Sequence, residues 1–283
     1  MSIDYEAEYN NRARVPEHPQ IFERWQRESA DYRTTAGADE NCALGLSYGK
    51  SPREIIDLFF PERSGTTPLA MFIHGGYWRS LEPAMFSHTA RGLNAHGVAV
   101  AIAGYDLCPQ VGIADIVAQI QKACAFLWYR FGQRIMVYGH SAGGHLAACM
   151  LATGWKALAA DAPADLVPAG YAISGVFDLE PLVQISMNQD LKLDAESARR
   201  LSPLHWPLAR NRVLDAVVGE LESAEFLRQS RTIADAWRAR GAETRFEAIA
   251  GANHFTILDA LSDPNSAMVA RLATLCQRAQ ALT

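Results

Sequence analysis

The segment Gly139-His140-Ser141-Ala142-Gly143 constrains this chain more than any other. The run Arg134 to Tyr138, apolar from Ile135 onward, ends immediately before it. Ala142 to Thr153, small and apolar, begins immediately after and stops at Gly154. A buried strand must therefore turn sharply into a helix at one serine. That turn needs small residues two positions either side, where a side chain would collide with the neighbouring backbone. It lifts the hydroxyl clear of the strand end and points the helix N-terminus at whatever the hydroxyl attacks. Ser141 is the candidate nucleophile.

The rest of the chain supplies a setting for such a turn. Strand-like runs at Ile55 to Phe60, Leu69 to Ile73, Val98 to Ala103, Gly170 to Ile173, Arg212 to Val218 and Thr244 to Ala250 alternate with helical stretches. The helices are expected near Pro83 to His96, Ala114 to Arg130, Arg228 to Arg240 and Pro264 to Ala281. This alternation predicts an α/β fold with a mostly parallel central sheet and helices on both faces. Ile135-Met136-Val137-Tyr138 is apolar throughout, as a strand covered on both sides should be. No repeat or Gly/Ser linker interrupts the chain, so residues 1–283 are expected to form one domain with little or no separate cap. Residues 1–47 are polar and mixed. Within them Pro19 to Tyr32 predicts an amphipathic helix with Ile21, Phe22 and Trp25 on one side, a lid or a packing arm.

Composition narrows the function classes. The net charge is −5 and the basic residues are scattered, so no nucleic-acid partner is expected. No apolar stretch of about 18 residues exists, and none of a signal peptide's features precede Glu8, so no membrane partner is expected. Five cysteines without a Cys-x-x-Cys pair suit a reduced, cytoplasmic protein. A homodimer is compatible with all of this, and no cofactor is implied. A metal reading of His140 and His145 fails on spacing and on the lack of a third ligand.

Three further segments complete a hydrolytic constellation. His74-Gly75-Gly76-Tyr77-Trp78 follows the strand Leu69 to Ile73. Adjacent glycines there can turn N–H groups toward a developing oxyanion. By position the donors are Gly76 and Tyr77 with Ala142, or Gly75 if the loop is shifted. His74 is expected to tie the loop down, and Tyr77 and Trp78 to wall a substrate pocket. The general base falls to His254, the one histidine beyond position 205, just after the run Thr244 to Ala250. Four carboxylates compete as its partner: Glu220, Glu222 and Glu225 after Gly219, and Asp178. Spacing of three residues beyond the strand-ending glycine selects Glu222. Glu220 would then face away or bind backbone N–H groups, Glu225 would open a helix, and Asp178 would cap a turn.

Taken together, His74 to Trp78, Gly139 to Ala148, Glu222 to Ser230 and Asn253-His254-Phe255 resemble the kynurenine formamidase (arylformamidase) branch of the α/β-hydrolases, near the hormone-sensitive-lipase-like esterases. The resemblance spans roughly residues 50 to 283. The family usually carries Asp where this chain has Glu222. The resemblance implies hydrolysis of an N-formyl aryl amide, with release of formate, by a Ser-His-Glu triad. A broad-range carboxylesterase acting on small esters is the alternative. A binding protein on the same scaffold would typically lack a triad member, and every member has a candidate here.

Overall fold

In the computed structural model, which describes residues 3–62 and 67–281, eight strands form one sheet in the order β1-β2-β4-β3-β5-β6-β7-β8. They are β1 (Cys42–Ser47), β2 (Ile55–Phe59), β3 (Leu69–Ile73), β4 (Ala99–Ala103), β5 (Ile135–His140), β6 (Ala169–Ile173), β7 (Val213–Gly219) and β8 (Glu243–Ile249). From β4 to β8 every pairing is parallel; β1 with β2 and β2 with β4 are antiparallel. The mostly parallel sheet with flanking helices is the architecture expected from the alternation of apolar runs.

Three helices precede the sheet: α1 (Tyr5–Tyr9), α2 (Asn11–Arg14) and α3 (His18–Ala38). A 3₁₀ stretch, Pro83–Ala90, leads into α4 (Arg91–Ala95). Then come α5 (Ile113–Phe131), α6 (Ala142–Ala152) and α7 (Trp155–Leu158). Between β6 and β7 lie α8 (Asn188–Leu191) and α9 (Ala195–Leu201). The chain closes with α10 (Ala224–Ala239) and α11 (Ala267–Gln280).

Successive side chains of a strand point to opposite faces, and β3 shows the consequence. Leu69, Met71 and Ile73 pack with α5, α6 and α10, whereas Ala70 and Phe72 pack with α3, α4 and α11. The sheet thus has two cores, which is why β3, β4 and β5 are buried at every position.

Two differences from the sequence reading have clear causes. β1 lay hidden in residues 1–47: it is a half-exposed edge strand, paired on one side, with an irregular register between Ala43 and Leu46. It therefore lacks the continuous apolar run of its neighbours. The stretch from Pro83 opens as a 3₁₀ helix and becomes α-helical only at Arg91. Among the described residues no helix is long and apolar enough to cross a membrane.

Candidate active site

Ser141 joins β5 to α6 with φ 57° and ψ −118°, in the left-handed half of the map that non-glycine residues avoid. The strain is held from both sides. Its N–H donates to the Ile173 carbonyl at 2.8 Å, and its carbonyl accepts from Gly144 at 2.9 Å. The flanking glycines are obligatory: a Cβ on Gly139 would lie 2.2 Å from the Gly143 oxygen, and one on Gly143 would lie 1.9 Å from the Ile73 oxygen. Ala142 is the first residue of α6, so its N–H belongs to the helix end that has no intrahelical acceptor.

The oxyanion-loop candidates follow β3. A Cβ on Gly75 would meet the His140 oxygen at 2.8 Å and Ser141 Cβ at 3.0 Å, so this loop runs directly against the elbow. Gly76, Tyr77 and Trp78 all have positive φ, at 107°, 50° and 56°. His74 anchors the turn. Its Nδ1 bonds the Gly75 carbonyl at 2.8 Å, its own carbonyl accepts from Tyr105 at 2.8 Å, and the two rings stack at 4.3 Å. Burial lowers its pKa to about 3, so it stays neutral.

The structure separates the two aromatic candidates. Tyr77 lines the cavity beside Ser141 and its hydroxyl donates to the Tyr9 carbonyl at 2.7 Å. Trp78, expected to wall the pocket, does not. It is fully buried in the core beneath α5 and α6, edge-on to His145 at 5.0 Å. The two consecutive left-handed residues turn the chain so that its indole enters the core and leaves the cavity to its neighbour.

On the far side, the turn after β7 brings one of the four competing carboxylates to His254. Glu222 Oε2 lies 2.6 Å from His254 Nδ1. Oε1 accepts from the Gly219 N–H at 2.7 Å and from Ser174 Oγ at 2.5 Å. Its side chain is completely buried, and these three donors replace the water it has lost. The others are engaged elsewhere. Glu220 Oε2 accepts from the Gly251 N–H at 3.1 Å, and Asp178 Oδ1 from the Glu180 N–H at 3.2 Å. Glu225 binds Arg228 and the Tyr9 hydroxyl.

His140 does more than fill the variable position of the elbow. Its Nε2 donates to the His254 carbonyl at 2.7 Å, and the two rings lie 4.7 Å apart. Complete burial, reinforced by the neighbouring His254, pushes its pKa well down. It is therefore neutral, with its proton on Nε2, because a carbonyl can only accept. The sequence signal was available only as a histidine beside the serine. The bond depends on a loop more than a hundred residues away.

Ser141, His254, Gly76 and Tyr77 share a cavity of about 140 Å³. Its opposite wall comes from the N-terminal helices. Phe22 stacks on Trp25 at 5.1 Å and meets Phe255 edge-on at 5.3 Å. The arm is latched by buried polar bonds. Tyr9 Oη donates to Glu225 at 2.8 Å and accepts from Gln229 at 2.8 Å, and Glu8 accepts from the Glu225 N–H at 2.9 Å. The sequence of residues 1–47 offered the helix with Phe22 and Trp25 on one side, as a lid or a packing arm, but not the bonds that latch it. Among the described residues, Asp178, Glu180 and His205 bring ligand atoms within 4.8 Å of one another, but none of the three lines this cavity.

The BD-FAE family matches residues 56–197. Kynurenine formamidase of Danio rerio is 30% identical, the alignment covering 78% of each chain. That of Drosophila melanogaster is 31% identical over 76% of this chain and 75% of its own. A crystal structure of a provisionally assigned thioesterase from Silicibacter sp. TM1040 superposes with a TM-score of 0.84, at 33% identity, covering 95% of this chain and 98% of that one.

Proposed function

The chain belongs to the BD-FAE family and to the kynurenine formamidase group of α/β-hydrolases, and from that premise we propose that it hydrolyses an N-formyl aryl amide through Ser141, His254 and Glu222. The observation that carries the reading is the 2.6 Å bond from a buried Glu222 to Nδ1 of His254, which lines the same cavity as Ser141. That bond fixes the imidazole tautomer and leaves Nε2 to serve the hydroxyl.

The chemistry follows. Ser141 Oγ attacks the formyl carbon while His254 Nε2 takes its proton. The oxyanion forms against the N–H groups of Ala142, Gly76 and Tyr77. The imidazolium is stabilised by Glu222 and gives its proton to the aryl nitrogen as the C–N bond breaks. Water, deprotonated by His254 Nε2, then attacks the formyl-serine, and the imidazolium returns that proton to Ser141 Oγ as formate leaves. An arylamine anion is a poor leaving group, so the protonating role of His254 is indispensable to amide cleavage. Phe22, Trp25 and Phe255 offer an aromatic wall for the aryl group, and the arm that carries the first two acts as a fixed roof within a single domain. The five free cysteines suit the reduced cytoplasm proposed as its compartment.

The test is kcat/KM on N-formylkynurenine beside short p-nitrophenyl esters, with Ser141→Ala as control. A formamide rate at least comparable to the ester rate, with both lost in Ser141→Ala by about a thousand-fold or more, is expected. Fast ester cleavage with a negligible formamide rate would favour the second reading, an esterase using the same atoms. The thioesterase assignment of the Silicibacter relative supports that alternative.

A further inference from the structure

A second cavity, of about 220 Å³, adjoins the first at His254. Glu222 and Asn253 line it beside the base, and Arg14, Glu17 and Leu221 line it where it meets solvent, all three being exposed. None of these five residues borders the cavity of Ser141. Asn11 and His254 border both cavities, and so form the partition between them. Asn11 is 4% exposed, and its Nδ2 has no hydrogen-bond partner among the described residues.

A buried amide donor without an acceptor is rare, because nothing replaces the water it gave up on folding. A water standing at the junction of the two cavities would supply that acceptor. The neighbouring amides are engaged in holding the backbone. Asn253 Oδ1 accepts from the Phe255 and Thr256 N–H groups, each at 2.9 Å, and Asn10 Oδ1 accepts from the Ala13 N–H at 3.2 Å. The proposed reaction needs a water at this place. Ser141 cannot be deacylated until one reaches His254 Nε2, and the departing arylamine stands in the first cavity. A second way in, past a polar side chain beside the base, lets water arrive before the amine has left.

The geometry points to Asn11 as the positioning residue for the hydrolytic water, and to the second cavity as the route by which that water reaches His254. This deepens the acyl-enzyme reading and rests on it. Water enters between Asn11 and His254 and accepts a hydrogen bond from the amide. It gives a proton to His254 Nε2 as its oxygen bonds the acyl carbon, and that proton passes to Ser141 Oγ as the carboxylate product leaves.

The fate of one acyl-enzyme tests this. p-Nitrophenyl acetate acylates Ser141, and benzyl alcohol, entering where the aryl leaving group stood, competes with water for the acetyl group. The ratio of benzyl acetate to acetate reads that competition whatever the rate of acylation. Asn11→Leu, close in size but without a donor, should raise the ratio about tenfold by slowing hydrolysis, the worth of one hydrogen bond. Asn11→Ser, which keeps a donor, should restore part of the wild-type value. Val15→Phe adds bulk to a wall of the second cavity and none to the first, and should shift the ratio the same way. A substitution that merely loosened the arm would slow both transfers alike and leave the ratio where it was. A ratio unchanged in Asn11→Leu, or raised as much in Asn11→Ser, overturns the positioning role, and no shift in Val15→Phe overturns the route. If N-formyl amides are inert and the ratio still shifts, the formamidase reading fails and Asn11 stands.

Discussion

Glu222, in the turn after β7, and Glu225, in the first turn of α10, are both buried, yet they are bonded to different parts of the molecule. Glu222 is bonded to His254 and to donors of the sheet's own turns, Gly219 and Ser174. Glu225 receives a two-pronged contact from Arg228, at 2.7 and 2.8 Å, and the hydroxyl of Tyr9 from the arm. On the proposed reading, one carboxylate serves the reacting atoms and the other fastens the arm beside them. The difference is set by partners, since residue type, burial and location are shared. A buried carboxylate does whatever its donors orient it to do.

The sharpest way to break this comparison is to remove each charge in turn. Glu222→Gln should lower kcat by roughly a thousand- to ten-thousand-fold while the fold stays intact. An amide nitrogen facing Nδ1 would favour the wrong imidazole tautomer, and nothing remains to stabilise the imidazolium. Asp178→Asn is the control, because its carboxylate caps a backbone N–H and lies 3.8 Å from Arg228. Its effect on kcat should stay within about threefold, as for a substitution away from buried networks. A large loss in Asp178→Asn with none in Glu222→Gln would mean that the acid lies elsewhere.

That pair of carboxylates also marks how far sequence reasoning reaches. The elbow was legible because steric necessity writes it locally: Gly139 and Gly143 have no room for a Cβ. Glu222 was selected by spacing from Gly219, since a short turn leaves little freedom. Glu225 was read as a helix opener. It does open α10, but its link to Tyr9 spans 216 residues and no local pattern encodes it. Trp78 shows the converse failure. An aromatic beside an oxyanion loop suggests a pocket wall, and only the backbone angles at Tyr77 and Trp78 send it into the core. The arm was legible as one amphipathic helix, whereas its place over the cavity comes from tertiary contacts alone.

The second prediction concerns the roof. Glu225→Gln should leave the order of magnitude of kcat unchanged, because His254 and Glu222 keep their bond. It should raise KM, since the arm supplies Tyr9, Phe22 and Trp25 to the cavity wall. It should also lower stability by about 1–3 kcal/mol, the cost of weakening charge-assisted hydrogen bonds. Denaturant unfolding and substrate saturation read these two effects separately. A loss in kcat as large as that of Glu222→Gln would dissolve the distinction between the two residues.

The smallest effect is the most discriminating. Burial raises the Glu225 pKa, but the bonds from Arg228 and Tyr9 outweigh it and hold the group below its ordinary value of 4.5. A carboxyl with a depressed folded pKa contributes stability that is complete above the unfolded value and is lost as pH falls through the folded one. The stability gap between wild type and Glu225→Gln should therefore be constant from pH 7 down to about 5 and then narrow below about 4.5. Acid weakens both proteins by another route. Burial holds His74 and His88 at about 3, His145 at about 4, and His140 well below its ordinary value. These stay neutral in the fold and take up protons when it opens, so stability falls as pH drops below about 6.5. That loss is common to both proteins and cancels in their difference. A gap that stays constant to pH 3 would show that Glu225 fastens the arm by packing and not by its charge.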